Sequence, residues 1–449
     1  VRRLTLLLSF AGVVGIVFAL SKLHAASVAD DPYDFTASSR LTWAISYIVL
    51  LLVATYASGL PDLPRSTREA FGVAAAVSAV AAIGVSLLQL IVGDALLPRF
   101  VVFGSALLLI PWQVGVNALA RGGRTRGQDR DRVLLIGADE ELGRLTEDLG
   151  FAPERPATVV GHLTPEAAAP VGDRRPVIDR VLADQVSVII LDRTAQADDE
   201  VVSQAALLHE SGLRVRTLVQ FYEEWLGKLP VGELERASMF FDISEIHGQR
   251  YARAKRVLDL AMGLIGLVPF LLSIPIVAVV NLVANRGPLF YRQERVGRGG
   301  ATFQILKFRT MRADGRPDGN DGEGSAWTAV ADPRVTPFGR LLRASHLDEL
   351  PQVVNIVRGD LSVVGPRPEQ PRYVRELSAS LPFYGMRHLV RPGLTGWAQV
   401  KYGYAGDEDD ALEKLQYEFF YLNHQGVGLD LRIVGRTLRA VLGSQGGGR

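Results

Sequence analysis

Asp348 and Glu349 stand side by side in Ser345-His-Leu-Asp-Glu-Leu-Pro-Gln352, inside a region dense in arginine. From Arg286 to Arg367 the chain carries twelve arginines and a single lysine, Lys307. A carboxylate can attack phosphorus or hold a divalent cation. Adjacent helical residues point about 100° apart, so two neighbours suit two different jobs. Arginine forks make bidentate contacts to phosphate. The bases recur among turn residues and aromatics, in Tyr291-Arg-Gln-Glu-Arg-Val-Gly297, Lys307-Phe-Arg-Thr-Met311 and Gly365-Pro-Arg-Pro-Glu369. Docking to anionic lipid would explain the bases but not two acids among them. The apolar neighbours Leu347, Leu350, Val353, Val354, Ile356 and Val357 imply a half-buried setting, with His346 a surface or packing residue. Together these features suit chemistry on a phosphorylated substrate.

Other chemistries are excluded by what is missing. The chain has no cysteine, so disulfides, Cys-ligated zinc, iron–sulfur clusters and a thiol nucleophile are ruled out. No H-x-x-x-H, G-x-S-x-G or Walker A pattern occurs. A net charge of +1 gives no bulk attraction for nucleic acid, so none is expected as a partner.

The elements that must position the pair begin in a membrane. Four apolar runs, Leu4–Leu20, Leu41–Leu60, Phe71–Ile91 and Leu96–Ala118, each approach the ~20 residues that span a bilayer core. Residues 1–121 therefore read as a four-helix transmembrane bundle. Arg2, Arg3, Arg65, Arg68 and the arginines after Ala118 flank one side, and Asp30, Asp31 and Asp34 the other, which puts both bundle termini in the cytosol. A polar linker, 122–130, leads to alternating strand and helix patterns over 131–245, the signature of a parallel α/β, Rossmann-like module. Its glycines, Gly137 and Gly143, do not make a G-x-G-x-x-G, and Asp139, Glu140 and Glu141 would repel a pyrophosphate, so the module reads as degenerate.

A fifth apolar run, Val257–Ala284, is too long for one straight crossing: about 42 Å against a ~30 Å core. Pro269 and Pro275 interrupt it, and basic clusters flank both ends. A bent, re-entrant hairpin of two half-helices, entering and leaving on the cytosolic face, satisfies the length and the charge rule. Either proline could make the bend. The expected fold class is thus a membrane α-helical bundle, an α/β Rossmann-like module, and a monotopic, α-rich catalytic domain over 250–449 with its re-entrant helix at 257–284.

The motifs in this last region resemble those of the bacterial sugar transferase family. They are Lys255-Arg-Val-Leu-Asp259, Gly287-Pro-Leu-Phe-Tyr-Arg-Gln-Glu-Arg295, Lys307-Phe-Arg-Thr-Met311, Asp332-Pro-Arg-Val-Thr336, Leu347-Asp-Glu-Leu-Pro-Gln352, Gly359-Asp-Leu-Ser362, Gly365-Pro-Arg-Pro-Glu369 and Arg391-Pro-Gly-Leu-Thr-Gly-Trp-Ala-Gln399. The resemblance implies a polyprenyl-phosphate hexose-1-phosphate transferase of the long, exopolysaccharide- or O-antigen-initiating type. Such an enzyme joins a UDP-hexose to undecaprenyl phosphate and releases UMP. It implies Asp348 as nucleophile in a phosphosugar-aspartyl intermediate and Glu349 as a ligand for Mg²⁺. Arg343 and Arg367 match the family's phosphate-binding arginines, and Lys307, Arg309, Arg295 and Arg391 lie in its substrate-binding motifs. Glu418 stands where many members carry Asp. The resemblance also implies a multi-pass protein of the bacterial inner membrane, catalytic domain facing the cytosol, with any homo-oligomer contact in 1–245. Two readings from other classes compete. A membrane-bound sugar-nucleotide dehydratase or epimerase would need a working glycine fingerprint and a Tyr-x-x-x-Lys pair, and a non-enzymatic scaffold would not need the acid–arginine spacings. Which sugar is transferred is not legible.

Overall fold

The computed structural model describes residues 2–29, 31–61, 64, 66–92, 97–122, 131–151, 157–172, 174–230, 249–284, 287–311, 334–381, 383–402 and 408–442. The expected linker at 122–130, apart from Gly122, and the Gly/Asp-rich stretch 312–331 lie outside them. The chain divides into two compact units. One holds 1–123, 247–414 and 424–449; the other holds 124–246 and 415–423.

In the first unit, helices α1 (Arg2–Leu23), α2 (Arg40–Ser58), α3 (Thr67–Val92) and α4 (Arg99–Gly122) follow the four apolar runs. Each contains a stretch long and apolar enough to cross a membrane. Gly12 lets α1 and α4 close up, since a Cβ there would overlap the Trp112 indole. Buried polar groups pair across the bundle: Ser9 Oγ donates to Gln113 Oε1 (2.6 Å), and Asn117 Nδ2 donates to the carbonyl of Pro61 (2.6 Å). Pairing of this kind is required where no water can satisfy a polar group.

The second unit contains a four-stranded sheet of β1 (Asp131–Ile136), β2 (Ala157–Leu163), β3 (Val188–Leu191) and β4 (Arg214–Thr217), ordered β2-β1-β3-β4 and parallel throughout. β1 and β3 are nearly continuous apolar runs because helices cover both faces: α5 (Asp139–Phe151) lies after β1, α6 (Pro176–Ala183) before β3 and α7 (Asp199–Glu210) after it.

The first unit continues with α8 (Gln249–Ala284), which contains both prolines. The two half-helices expected from sequence are instead one helix in hydrogen-bond pattern. Each proline removes only one N–H donor, and the Ser273 hydroxyl, between them, donates to the Phe270 carbonyl (2.7 Å). The helix is two-faced. Asp259, Phe270, Val277 and Asn281 are buried, whereas Leu264, Ile265, Leu272, Ile276, Val279 and Val283 are bare, each more than half exposed. An antiparallel hairpin follows, β5 (Phe290–Val296) and β6 (Thr302–Phe308), where the sequence reading had placed only charged motifs. Then come α9 (Pro337–Ala344), a 3₁₀ turn at Leu347–Gln352, α10 (Val353–Arg358), a parallel pair β7 (Ser362–Val364) and β8 (Gly393–Thr395), α11 (Pro371–Ser380) between them, α12 (Glu408–Asn423) and α13 (Val427–Leu442). In α12, residues 415–423 belong to the α/β unit, where the Leu229 N–H donates to the Gln416 carbonyl (3.1 Å). α13 returns to the bundle: Gly435 lies against the backbone of Ala57 in α2, and Arg432 Nη2 donates to the Tyr56 hydroxyl (3.3 Å).

Candidate active site

Local sequence explains how the acidic pair is presented. Thr336 caps α9, its Oγ1 accepting from the Gly339 N–H (2.9 Å), and Pro337 opens the helix. Gly339 allows α9 to touch the strand end after β6, since a Cβ there would lie 2.0 Å from the Thr310 carbonyl oxygen. The helix stops where His346 takes a left-handed conformation (φ 54°), and the chain tightens at once into the 3₁₀ turn that carries Asp348 and Glu349. β6 carries Lys307 and is tied to α10 by Asn355. The Leu306 N–H donates to Asn355 Oδ1 (3.1 Å) and Asn355 Nδ2 donates to the Gln304 carbonyl (2.8 Å). Two groups on α8 hold the far side. Arg256 donates to the Ile356 and Val357 carbonyls (both 2.7 Å), closing the C-terminus of α10. Asp259 Oδ1 accepts from the Ser362 hydroxyl (2.9 Å) and the Val363 N–H (3.0 Å), fixing the start of β7. β7 leads into Gly365-Pro-Arg-Pro, which delivers Arg367.

The result is a compact charge cluster. Lys307 Nζ donates to Glu349 Oε1 at 2.8 Å, and Arg367 Nη2 donates to the same oxygen at 3.1 Å. Burial alone would raise the Glu349 pKa, but Arg367 and Lys307 outweigh it and hold that carboxyl far below the usual range. Burial pushes the Lys307 ammonium down, against the pull of Glu349. Asp348 is the opposite case. It is 8% exposed, and its carboxylate accepts no hydrogen bond among the described residues. Burial and the adjacent Glu349 raise its pKa, with Lys307, Arg343 and His346 opposing. Two neighbouring carboxylates thus differ in kind: Glu349 is a fixed anion, and Asp348 is a desolvated carboxylate with its lone pairs uncommitted.

The other residues expected at the site are placed as follows. Arg343 acts on Asp348 electrostatically and is braced by Nε donating to Thr310 Oγ1 (3.0 Å). Arg295 instead turns to the loop after Arg367, donating to the Pro368 carbonyl (3.0 Å) and to Gln293 Oε1 (2.6 Å), with Glu369 at 3.7 Å. Arg309 is buried with its guanidinium against Gly287 (φ 131°), three residues past the last residue of α8. The Arg391 carbonyl faces Gly365, its side chain half-buried. Pro269 and Pro275 lie within α8. Glu418 is buried in α12, in the stretch that clusters with the α/β unit. Sequence reading missed the positioning roles of Asn355, Arg256, Asp259 and His346. A histidine between the helical pattern of 337–344 and an acidic pair was the only local signal of the left-handed turn.

Mg²⁺ is bound by one or two carboxylates together with substrate phosphates, so a cluster of three acids is not required. Among the described residues no group of three or more His, Cys, Asp or Glu gathers. The pair nevertheless fits: both cations occupy Glu349 Oε1, and Oε2 has no partner among the described residues.

A carboxylate without a hydrogen-bond partner among the described residues, beside a second acid and close to arginine and lysine, in a unit that also holds five helices long and apolar enough to cross a membrane, suits a membrane-bound enzyme acting on phosphate. Residues 250–444 match the family model described as bacterial sugar transferase. Among curated proteins, the chain is 30% identical over 348 residues to the UDP-glucose:undecaprenyl-phosphate glucose-1-phosphate transferase of Xanthomonas campestris pv. campestris, covering 72% of this chain and 69% of that one. It is 41% identical over 190 residues to the protein of the same description in Caulobacter vibrioides, covering 42% and 69%. To the UDP-N-acetylgalactosamine-undecaprenyl-phosphate N-acetylgalactosaminephosphotransferase of Aeromonas hydrophila it is 35% identical over 241 residues, 54% of each chain. The chain thus spans about half the length of the Aeromonas relative. It belongs to the bacterial sugar transferase family.

Proposed function

We propose that this chain is a polyprenyl-phosphate glycosyl-1-phosphate transferase that moves a hexose-1-phosphate from a UDP-hexose to undecaprenyl phosphate, the first membrane step of exopolysaccharide, O-antigen or capsule repeat-unit assembly. The observation that carries the reading is the contrast between Asp348, desolvated and unbonded, and Glu349, locked by Lys307 and Arg367. In the first step an Asp348 oxygen attacks the sugar-bearing phosphorus of the UDP-hexose. The P–O bond to UMP breaks, UMP leaves with the electron pair, and the sugar phosphate is joined to Asp348. In the second step a phosphate oxygen of undecaprenyl phosphate attacks the same phosphorus, and the Asp348 carboxylate is released. Arg367, Lys307 and Arg343 offset charge on the phosphoryl oxygens. Glu349 would hold Mg²⁺, which would supply further neutralisation of the diphosphate charge.

The catalytic polypeptide reads as seated on the cytosolic face. Between Arg256 and Val277 the helix α8 contacts or clusters with it, and only 278–284 lie beyond, roughly 10 Å at 1.5 Å per residue, too short for a crossing. We read α8 as kinked at Pro269 or Pro275 within its continuous helical hydrogen bonding, so that its bare Leu and Ile face sinks into the bilayer and the helix returns to the cytosolic side, as a re-entrant, monotopic element. The contact of α13 with Tyr56 and Ala57 falls at the end of α2 next to the basic loop of Arg65 and Arg68, the cytosolic side by charge. The α/β unit reads as a Rossmann-like module not built for a nucleotide. Asp192, at the end of β3, already accepts from the Ala138 N–H (2.9 Å), an amide at the start of α5 that a phosphate would use. The test is a radiolabel assay with the membrane-inserted protein, undecaprenyl phosphate and a panel of UDP-hexoses. Transfer of label to the lipid with UMP release is expected; label in neither product with any sugar would overturn the reading.

A further inference from the structure

The strand pair β7–β8 and the hairpin β5–β6 converge on one short loop, Pro366-Arg367-Pro368-Glu369. Proline has no N–H, so Pro366 and Pro368 offer the fold only their carbonyls. All four consecutive carbonyls are engaged. Pro366 accepts from the Gly393 N–H (2.8 Å) and Glu369 from the Val296 N–H (2.9 Å). The two in the middle are held by side chains: Arg387 Nη2 donates to Arg367 O (2.9 Å), and Arg295 Nη1 donates to Pro368 O (3.0 Å).

Neither arginine is free to move. Arg387 is 4% exposed, and its other Nη donates to the Tyr384 hydroxyl, which its guanidinium also faces at 4.9 Å from the ring centroid. Arg295 is further bonded to Gln293 and lies 3.7 Å from Glu369. Two guanidiniums are thus desolvated to hold a backbone that two neutral N–H donors could have held. A planar fork on a long stem reaches two acceptors at once and fixes their separation, which a flexible ammonium does not. It also leaves two positive charges beneath the loop that presents Arg367 to Glu349.

We infer that Arg387 and Arg295 are positioning residues that act on the reaction through Arg367, clamping the Pro-Arg-Pro backbone so that its guanidinium meets the diphosphate in one geometry. This rests on the transferase reading, and it moves Arg295 from a substrate contact to a support. A misplacement of about 1 Å at a phosphate-binding group costs on the order of a hundredfold in rate.

The experiment is a double-mutant cycle in the detergent-purified full chain, joining Arg387→Gln with Arg367→Ala, and separately Arg295→Gln with Arg367→Ala. Each Gln variant should lower kcat about 10- to 100-fold with the melting temperature within a few degrees of wild type. Once Arg367 is Ala, adding either Gln should change the rate less than about threefold, because the clamp has nothing left to position. Arg387→Lys, which keeps a charge and a donor, guards against misfolding and should restore part of the rate. Effects that multiply in the double variants would overturn the inference, as would near-normal turnover by Arg387→Gln. The same cycle is read on inorganic pyrophosphate binding by calorimetry. If wild type transfers no sugar, the transferase reading fails alone; non-additive weakening of pyrophosphate binding would still support the clamp, and additive weakening would reject it.

Discussion

Gly339→Ala puts one methyl group where the fold has no room. A Cβ at 339 would lie 2.0 Å from the Thr310 carbonyl oxygen, about 1.4 Å short of an ordinary contact at 3.4 Å. The obstacle is backbone on both sides, so no rotamer change relieves it. α9 must move away from the end of β6, and three groups move with it. Thr336 loses its cap geometry, Arg343 its bond to Thr310, and the left-handed turn at His346 shifts Asp348 relative to Lys307. Overpacking of this kind costs about 1–3 kcal/mol in stability. A displacement near 1 Å at the reacting groups costs about a hundredfold in rate. The expected result is therefore a protein that inserts and folds but transfers sugar phosphate about a hundredfold more slowly. The control is Gly143→Ala in α5, where a Cβ would meet nothing within 4 Å. That change should be neutral in rate and stabilise by up to about 1 kcal/mol. The assay is UMP release with the best UDP-hexose, alongside a thermal melt. Gly339→Ala turning over within threefold of wild type would show that the contact of α9 with Thr310 does not set the geometry of Asp348.

Further outcomes follow from the same contacts. Asp348→Asn should abolish transfer yet raise the melting temperature at neutral pH. A carboxyl whose folded pKa is raised contributes stability at low pH and loses it as pH rises through that pKa, so a neutral isostere removes the cost. For the same reason the acid limb of kcat/KM should lie above the ordinary Asp value, and a limb at or below that value would count against Asp348 as the group that must ionise. Activity should require a divalent cation, and Glu349→Ala should abolish the dependence along with most of the rate; a chelator without effect would contradict this. A chain starting near Gly248 should keep transfer but melt lower, because Leu415, Phe419 and Leu422 are buried in a stretch that belongs to the α/β unit. Complete loss of transfer in a folded, membrane-bound form would place part of the chemistry in 1–246.

The apolar runs of α1–α4 and the strands β1–β4 were legible because one dominant signal, hydrophobic period or length, governs each. The acidic pair was legible from its motif. The hairpin β5–β6 was not. Its alternation of half-buried and exposed residues is written in Tyr, Arg, Gln and Glu, and so reads as a charged motif rather than a strand. Asn355, Arg256 and Asp259 were hidden for a different reason. Their partners lie about fifty to a hundred residues away, and no local pattern marks a side chain that satisfies distant backbone. The bond of Arg295 to the Pro368 carbonyl was hidden by its own chemistry, since a guanidinium suited to phosphate is equally suited to a carbonyl. Helical hydrogen bonding runs through Pro269 and Pro275, where the proline rule taken alone predicts two separate half-helices.

The most direct test of covalent transfer through Asp348 is the intact mass of the purified full chain after incubation with its UDP-hexose and Mg²⁺, without undecaprenyl phosphate. The expected spectrum shows a species heavier by one hexose phosphate, mapped by peptide analysis to Asp348, absent from Asp348→Asn, and discharged when undecaprenyl phosphate is added. An unmodified mass in protein that turns over normally once the acceptor is present, or continued transfer by Asp348→Asn, would contradict it.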